Sequence, residues 1–222
     1  MATISRMKKS RLFDIVYEDK DIIAVKKKSG LLCIATEKDD IHNLYHYVRE
    51  YCNLHRQKVF IVHRLDKDTS GIVLFAKSFE LKEQLQKCFE ERRVKRYYEA
   101  VVREQLPLGE KKKVVQYLFY DKRSGRVLLT RDRNKGLEAI TLVRTNNHLD
   151  IGTALDIEIL TGRQNQIRLA LKSLNMTLIG DEKYAQDKSK RMLLNFYQLD
   201  IPDEVRIKEH HFYIPPSWLR EE

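Results

Sequence analysis

Residues 59–78 read VFIVHRLDKDTSGIVLFAKS. Two apolar runs enclose a histidine, an arginine, two aspartates, a threonine and a serine. Short apolar runs bounded by turn-forming residues predict strands buried on both faces. A carboxylate on the loop between two such strands is held by a rigid scaffold yet stays open to a ligand. Asp66 has Arg64 and Lys67 nearby, and neighbouring cations keep a carboxylate ionised. An ionised carboxylate serves as a nucleophile or a base. Asp, Ser and Thr also shape turns through side-chain to backbone hydrogen bonds. Composition alone therefore leaves Asp66, Asp68, Thr69 and Ser70 divided between chemistry and turn formation.

Upstream, FDIVYEDKDIIAVKKKSG (residues 13–30) places two apolar runs about Glu18–Asp21 and predicts a hairpin. HNLYHYVREY carries Leu44, Tyr47, Val48 and Tyr51 at helical spacing. Downstream, SFELKEQLQKCFEERRV aligns Leu81, Leu85, Cys88 and Phe89 on one helical stripe, with Ser78 as its cap. RYYEAVV (residues 96–102) alternates as a strand, with Tyr98, Ala100 and Val102 on one face and Tyr97, Glu99 and Val101 on the other. PLGEKKK (residues 107–113) is the expected connection between two halves. VVQYLFY, GRVLLT, LEAITLVRT and ALDIEIL then read as successive strands. TGRQNQIRLALKSLN predicts a helix, with Thr161 and Gln164 forming a capping box and Ile167, Ala170, Leu171 and Leu174 buried. RMLLNFYQLDI is a last strand. The reading is a mixed α+β chain rich in antiparallel strands, with a basic tail over residues 1–10 and one folded region over residues 11–222.

The bulk numbers constrain partners more than fold. A chain of 222 residues with 42% hydrophobic residues can build a core without disulfides. Cys33, Cys52 and Cys88 form no CxxC pair, which points to a reducing compartment and a cytoplasmic location. No secretory signal is apparent, and no run approaches the ~20 apolar residues of a membrane helix. The formal net charge of +10 favours nucleic acid, because polyanions reward loosely placed cations through counterion release.

Several segments together carry a resemblance. HRLDKDTSGIVLFAKS resembles the catalytic motif of the RluA-type pseudouridine synthases: HRLD, a short spacer, TSG and an apolar strand. Residues 13–32 resemble that family's opening segment, and RYYEAVV its Lys/Arg-x-Tyr-x-Ala strand. ILTGRQNQIRLALKSLNMTLIGDEKYA (residues 159–185) resembles its TGR…HQIR…GD..Y segment, and MLLNFYQLDI its closing strand. These fall in family order over roughly the whole chain. The resemblance implies a mainly antiparallel sheet flanked by helices, with a catalytic cleft between two halves. It implies that Asp66 is the essential aspartate, that Tyr98 packs against the target uracil, and that Arg168 is the basic residue beside the aspartate. It implies that Arg64 helps hold the RNA while the base is extruded, and it extends the RNA-contacting set to His63, Lys67, Thr69, Arg163 and Gln166.

Converting uridine to pseudouridine breaks the N1–C1′ bond, turns the base and rejoins it through C5. Nothing is oxidised, hydrolysed or added, so the expectation is an enzyme without metal, nucleotide or redox cofactor. The target base must leave its stack, which costs a few kcal/mol and favours an aromatic, apolar pocket. Tyr98 would supply a flat face, and Arg168 could orient Asp66 through a charge-assisted hydrogen bond. Attack on the sugar and removal of a sugar proton both remain open for Asp66. His42 and His46 share a helical i, i+4 spacing without an evident third metal ligand.

The sequence also departs from the family pattern. Asn165, Ala170 and Asn195 stand where histidines are usual, and Lys28 interrupts the usual Lys-Pro. A rival reading is an RNA-binding or RNA-chaperone protein that has lost activity on this scaffold; a base-removing hydrolase lacks a water-activating partner. Basic clusters at Lys26–Lys28, Arg92–Arg96, Lys111–Lys113, Arg123–Lys135 and Lys188–Arg191 are candidates for phosphate contact. The expectation is a catalytic domain without an S4-like module. The expected partner is ribosomal or transfer RNA, with no membrane, no obligatory protein partner and a monomeric state.

Overall fold

A computed structural model describes residues 13–35 and 41–215. The expected basic tail lies outside them. The described chain divides into two compact units: residues 13–94 with 196–215, and residues 95–195.

In the first unit, β1 (Phe13–Glu18) and β2 (Ile22–Lys27) form the expected hairpin. Its turn is closed by Asp19, whose carboxylate accepts from the backbone N–H of Asp21 at 2.8 Å and Ile22 at 2.9 Å. Helix α1 (Leu44–Leu54) is capped by Asn43 and buries Leu44, Val48 and Cys52. A two-residue strand, β3 (Phe60–Ile61), pairs with β4 (Ser70–Ala76), and β2 pairs with β4 in antiparallel register from Ile22–Ala76 to Lys27–Gly71. Helix α2 (Phe79–Glu90) follows, with the Ser78 hydroxyl accepting from Leu81 N as its sequence promised.

The two apolar runs of the opening motif thus differ in kind. Every residue of β4 is buried, which explains a run of seven without polar alternation. The first run is only a short, half-buried edge strand. Gly71 begins the buried strand at φ +124°, and a Cβ there would lie 2.3 Å from the carbonyl oxygen of Phe196 and 2.5 Å from its nitrogen. Backbone cannot move aside as a side chain does. Gly71→Ala should therefore destabilise by on the order of 3 kcal/mol, read as a lower urea midpoint at unchanged m-value. An unshifted midpoint would show that the strand tolerates a side chain there.

The second unit is an antiparallel sheet of β5 (Lys95–Val102), β9 (Gly152–Ile159), β8 (Leu137–Leu149), β6 (Lys111–Asp121) and β7 (Arg126–Thr130), in that spatial order. Helix α3 (Gln166–Ser173) covers the face of β6 and β8 that carries Leu118 and Ala139, and Leu169 joins them with Val127 and Tyr184. The closing strand β10 (Leu194–Asp200) straddles the two units. From Gln198 to Asp200 it pairs with β11 (His211–Tyr213), a strand the sequence did not announce.

Two expectations need correction. Pro107–Lys113 does not join the halves; it lies inside the second unit. Thr145 on β8 fastens it there: its N–H donates to Glu110 O at 3.0 Å and its hydroxyl to Pro107 O at 2.6 Å. The units part at Val94/Lys95 and Asn195/Phe196 instead. The second concerns Thr161, which does not cap the helix. α3 begins at Gln166, after Asn165 in the left-handed region at φ 54°, and Thr161 instead donates to the Gln166 side chain at 2.7 Å.

Candidate functional site

Asp66 is half-buried on the loop that leads into β4. The loop folds back on itself through Thr69 N donating to Asp66 O at 3.2 Å. The segment after β2 then holds it residue by residue. Leu65 N donates to the Cys33 thiol sulfur at 3.2 Å. Lys67 O accepts from Gly30 N at 3.0 Å and from the Lys27 ammonium at 2.8 Å. Asp68 O accepts from the Ser29 hydroxyl at 2.6 Å. Main-chain groups on both sides of Asp66 are thus committed, leaving its carboxylate on a backbone with little freedom. Burial pushes the Cys33 thiol up, so it stays protonated.

The same contacts overturn part of the basic-cluster reading. Lys27 is 0% exposed, so of Lys26–Lys28 it is not a surface cation. Arg96 is also buried. Lys111, Lys113, Arg123, Arg126, Arg131, Arg133, Lys135, Lys188 and Lys190 are exposed and remain available to phosphate.

In the second unit, Arg168 is 6% exposed and held bidentately by Asp181: Nε donates to one carboxylate oxygen at 2.9 Å and Nη2 to the other at 2.5 Å. Its Nη1 donates to Asn165 Oδ1 at 3.1 Å, and the guanidinium carbon lies 4.9 Å from the centre of the Tyr184 ring. Asn165 Nδ2 donates to the Tyr184 hydroxyl, which donates in turn to Val127 O at 3.1 Å. The departure at Asn165 thus has a physical account. Asparagine tolerates the left-handed backbone there, and its amide serves both neighbours. Asn195, another departure, donates to Glu99 Oε1 at 2.9 Å. The third, Ala170, is wholly buried. Sequence reasoning missed Asp181 as the partner of Arg168, although both fall in one motif segment; thirteen residues apart, they meet only through folding.

The remaining candidates divide by exposure. Tyr98 is 7% exposed on β5, with Ile157 opposite it; Tyr97 is the half-exposed one, opposite Glu158. Arg64 and Lys67 are exposed. Arg163 is half-buried, its Nε donating to Glu138 O at 3.0 Å. Three members of the expected RNA-contacting set are turned inward instead. Gln166 is buried, donating to Ile140 O and Thr141 Oγ1 while accepting from Thr161 and Arg163 N, which uses its whole hydrogen-bonding capacity. Thr69 is buried in the loop. His63 accepts from Leu74 N at its Nε2 at 3.1 Å and stacks on Phe89, so it braces β4.

A family model described as RNA pseudouridylate synthase matches residues 21–173, and this chain belongs to that family. It is 33% identical over 217 residues to a Ribosomal large subunit pseudouridine synthase C of Rickettsia bellii, covering 94% of this chain and 70% of that protein. It is 33% identical over 173 residues to an Uncharacterized RNA pseudouridine synthase MG209 homolog of Mycoplasma pneumoniae, covering 77% of this chain. Of that relative's own length the chain spans only 55%. Among solved structures, Human RNA Pseudouridylate Synthase Domain Containing 1 shares the fold, with a TM-score of 0.75 and 22% identity over 91% of this chain and 83% of that one.

Proposed function

We propose that this protein isomerises uridine to pseudouridine in structured RNA, ribosomal or transfer, with Asp66 as the catalytic carboxylate. The observation that carries the reading is the clamped loop: every residue from Leu65 to Thr69 makes a main-chain contact that fixes it, and the loop runs into a wholly buried strand. Catalytic groups need that degree of preorganisation. Membership of the family supports the reaction type, and the matched segment contains Asp66, Tyr98 and Arg168. The names of the relatives support a ribosomal target.

In the proposed reaction the N1–C1′ bond of an everted uridine breaks, the uracil turns, C5 bonds to C1′, and the C5 proton is lost while N1 takes one up. Substrate and product are isomers, so nothing is consumed. Asp66 acts at the sugar. Tyr98 is assigned to packing the base, and Arg168 to supplying a fixed positive charge to the same reaction. Arg64, Lys67 and the exposed cations position the backbone.

Incubating the protein with large-subunit ribosomal RNA and transfer RNA transcribed without pseudouridine tests this. Nuclease digestion and mass spectrometry should find pseudouridine in at least one of them. RNA bound without product would replace the proposal by a binding protein, and free uracil would replace it by a hydrolase.

A further inference from the structure

Lys27 is wholly buried, and its ammonium has three N–H donors. Three carbonyl oxygens receive them: Lys28 O at 3.0 Å, Leu31 O at 2.7 Å and Lys67 O at 2.8 Å. A buried charge without such partners costs several kcal/mol and is lost by deprotonation. Here the donors are matched one to one. Two of the carbonyls belong to the turn after β2; the third lies forty positions away, on the residue following Asp66. The same Lys67 carbonyl takes Gly30 N, so one oxygen joins the two segments twice.

We infer that Lys27 is a positioning residue: its ammonium binds the main chain beside Asp66 to the turn after β2 and so sets the placement of that carboxylate. The inference rests on the proposed function for its catalytic meaning, while the clamp itself can be read without turnover. The titratable groups around Lys27 are Cys33, Asp68 and Asp66, with Arg64 acting on the same thiol. Burial lowers Lys27 from 10.5 to about 8, against the pull of those neighbours. The folded chain then releases this proton before the unfolded chain does. Between about 8 and 10.5 this group therefore makes folding more favourable as pH rises. A loosening of the loop over that range would not be unfolding. A neutral amine keeps two donors for three carbonyls, so deprotonation releases the clamp.

The experiment compares wild type with Lys27→Met by amide hydrogen exchange and by kcat and KM on RNA. Exchange at Gly30 and Thr69 should accelerate roughly tenfold in the variant, while the amides of β4 hold. Turnover should fall by on the order of 10²-fold with KM within about twofold, since a displacement near 1 Å suffices for that loss. Unchanged exchange at the two amides overturns the inference, and so does faster exchange with unchanged kcat. If Lys27→Met does not fold, the wild type decides. Protection at Gly30 and Thr69, corrected for intrinsic rates, should fall from pH 7 to 9.5 while Leu74 stays protected; a flat profile overturns the clamp. A wild type that forms no pseudouridine refutes the proposed function, and the exchange data still decide the clamp.

Discussion

Asp66→Asn should reduce pseudouridine formation by on the order of 10⁴-fold or more, the scale seen when a residue acting directly in covalent or proton-transfer chemistry is removed. The substitution keeps shape and removes the charge. The hydrogen bonds that clamp the loop around position 66 use main-chain atoms of residues 65 to 69, so the amide should leave the loop in place. Folding stability and RNA affinity are then expected to match the wild type, affinity within about threefold, because one side chain is a small share of a surface carrying a net +10. Single-turnover assays on a pseudouridine-free transcript, beside filter binding of the same RNA, separate the two quantities. Residual turnover within tenfold of wild type would remove Asp66 from the chemistry, and a parallel loss of binding would make it an RNA contact.

The second large effect is expected at a residue without a catalytic assignment. Asp181 is 1% exposed and receives Nε and Nη2 of Arg168 as well as the backbone N–H of Tyr184. Asp181→Ala leaves a buried guanidinium without the carboxylate to which it donates twice. Breaking such a pair from one side costs about 3–5 kcal/mol. For a chain of this length that is a fall in Tm of roughly 10 °C. Turnover should collapse with it, because Arg168 loses the partner that sets its orientation. Thermal melts of Asp181→Ala, Arg168→Met and the double variant form a cycle. The double variant should be more stable than Asp181→Ala alone, since it no longer buries the orphaned cation. If the single variant melts within 2 °C of wild type, the pair does not hold the second unit together.

Much of the architecture was legible because it is written in local periods. The alternation in β5 to β9, the stripes of α1 and α2, the Ser78 cap and the hairpin at Asp19 each depend on residues within one or two turns of chain. The expectation placed on Asp66 likewise rests on a contiguous motif. Failures came where a contact closes over distance. Gln164 stood in the right place for a capping box with Thr161, yet Gln166 took the Thr161 hydroxyl and delayed the helix. Gln166 and Thr69 looked like RNA contacts because they are polar and lie in motif segments, but both are buried, and the Gln166 amide spends its hydrogen bonds inside the protein. Lys27 offered one overlooked signal. It continues the Ile23–Val25 face of β2 at a spacing of two, so the strand period carries it inward.

By itself the sequence determined the family, the strand-rich order of elements, the acidic residue at position 66 and the excess of positive charge, since each is a property of composition or of short windows. Only the tertiary structure decided that Lys27 is buried while Lys28 beside it is exposed, that Arg168 belongs to Asp181, and that the chain divides at Lys95 rather than near Pro107. The reason lies in solvation. A cation stays in water or goes inside according to whether enough acceptors converge on it, and those acceptors come from segments whose meeting no local pattern encodes.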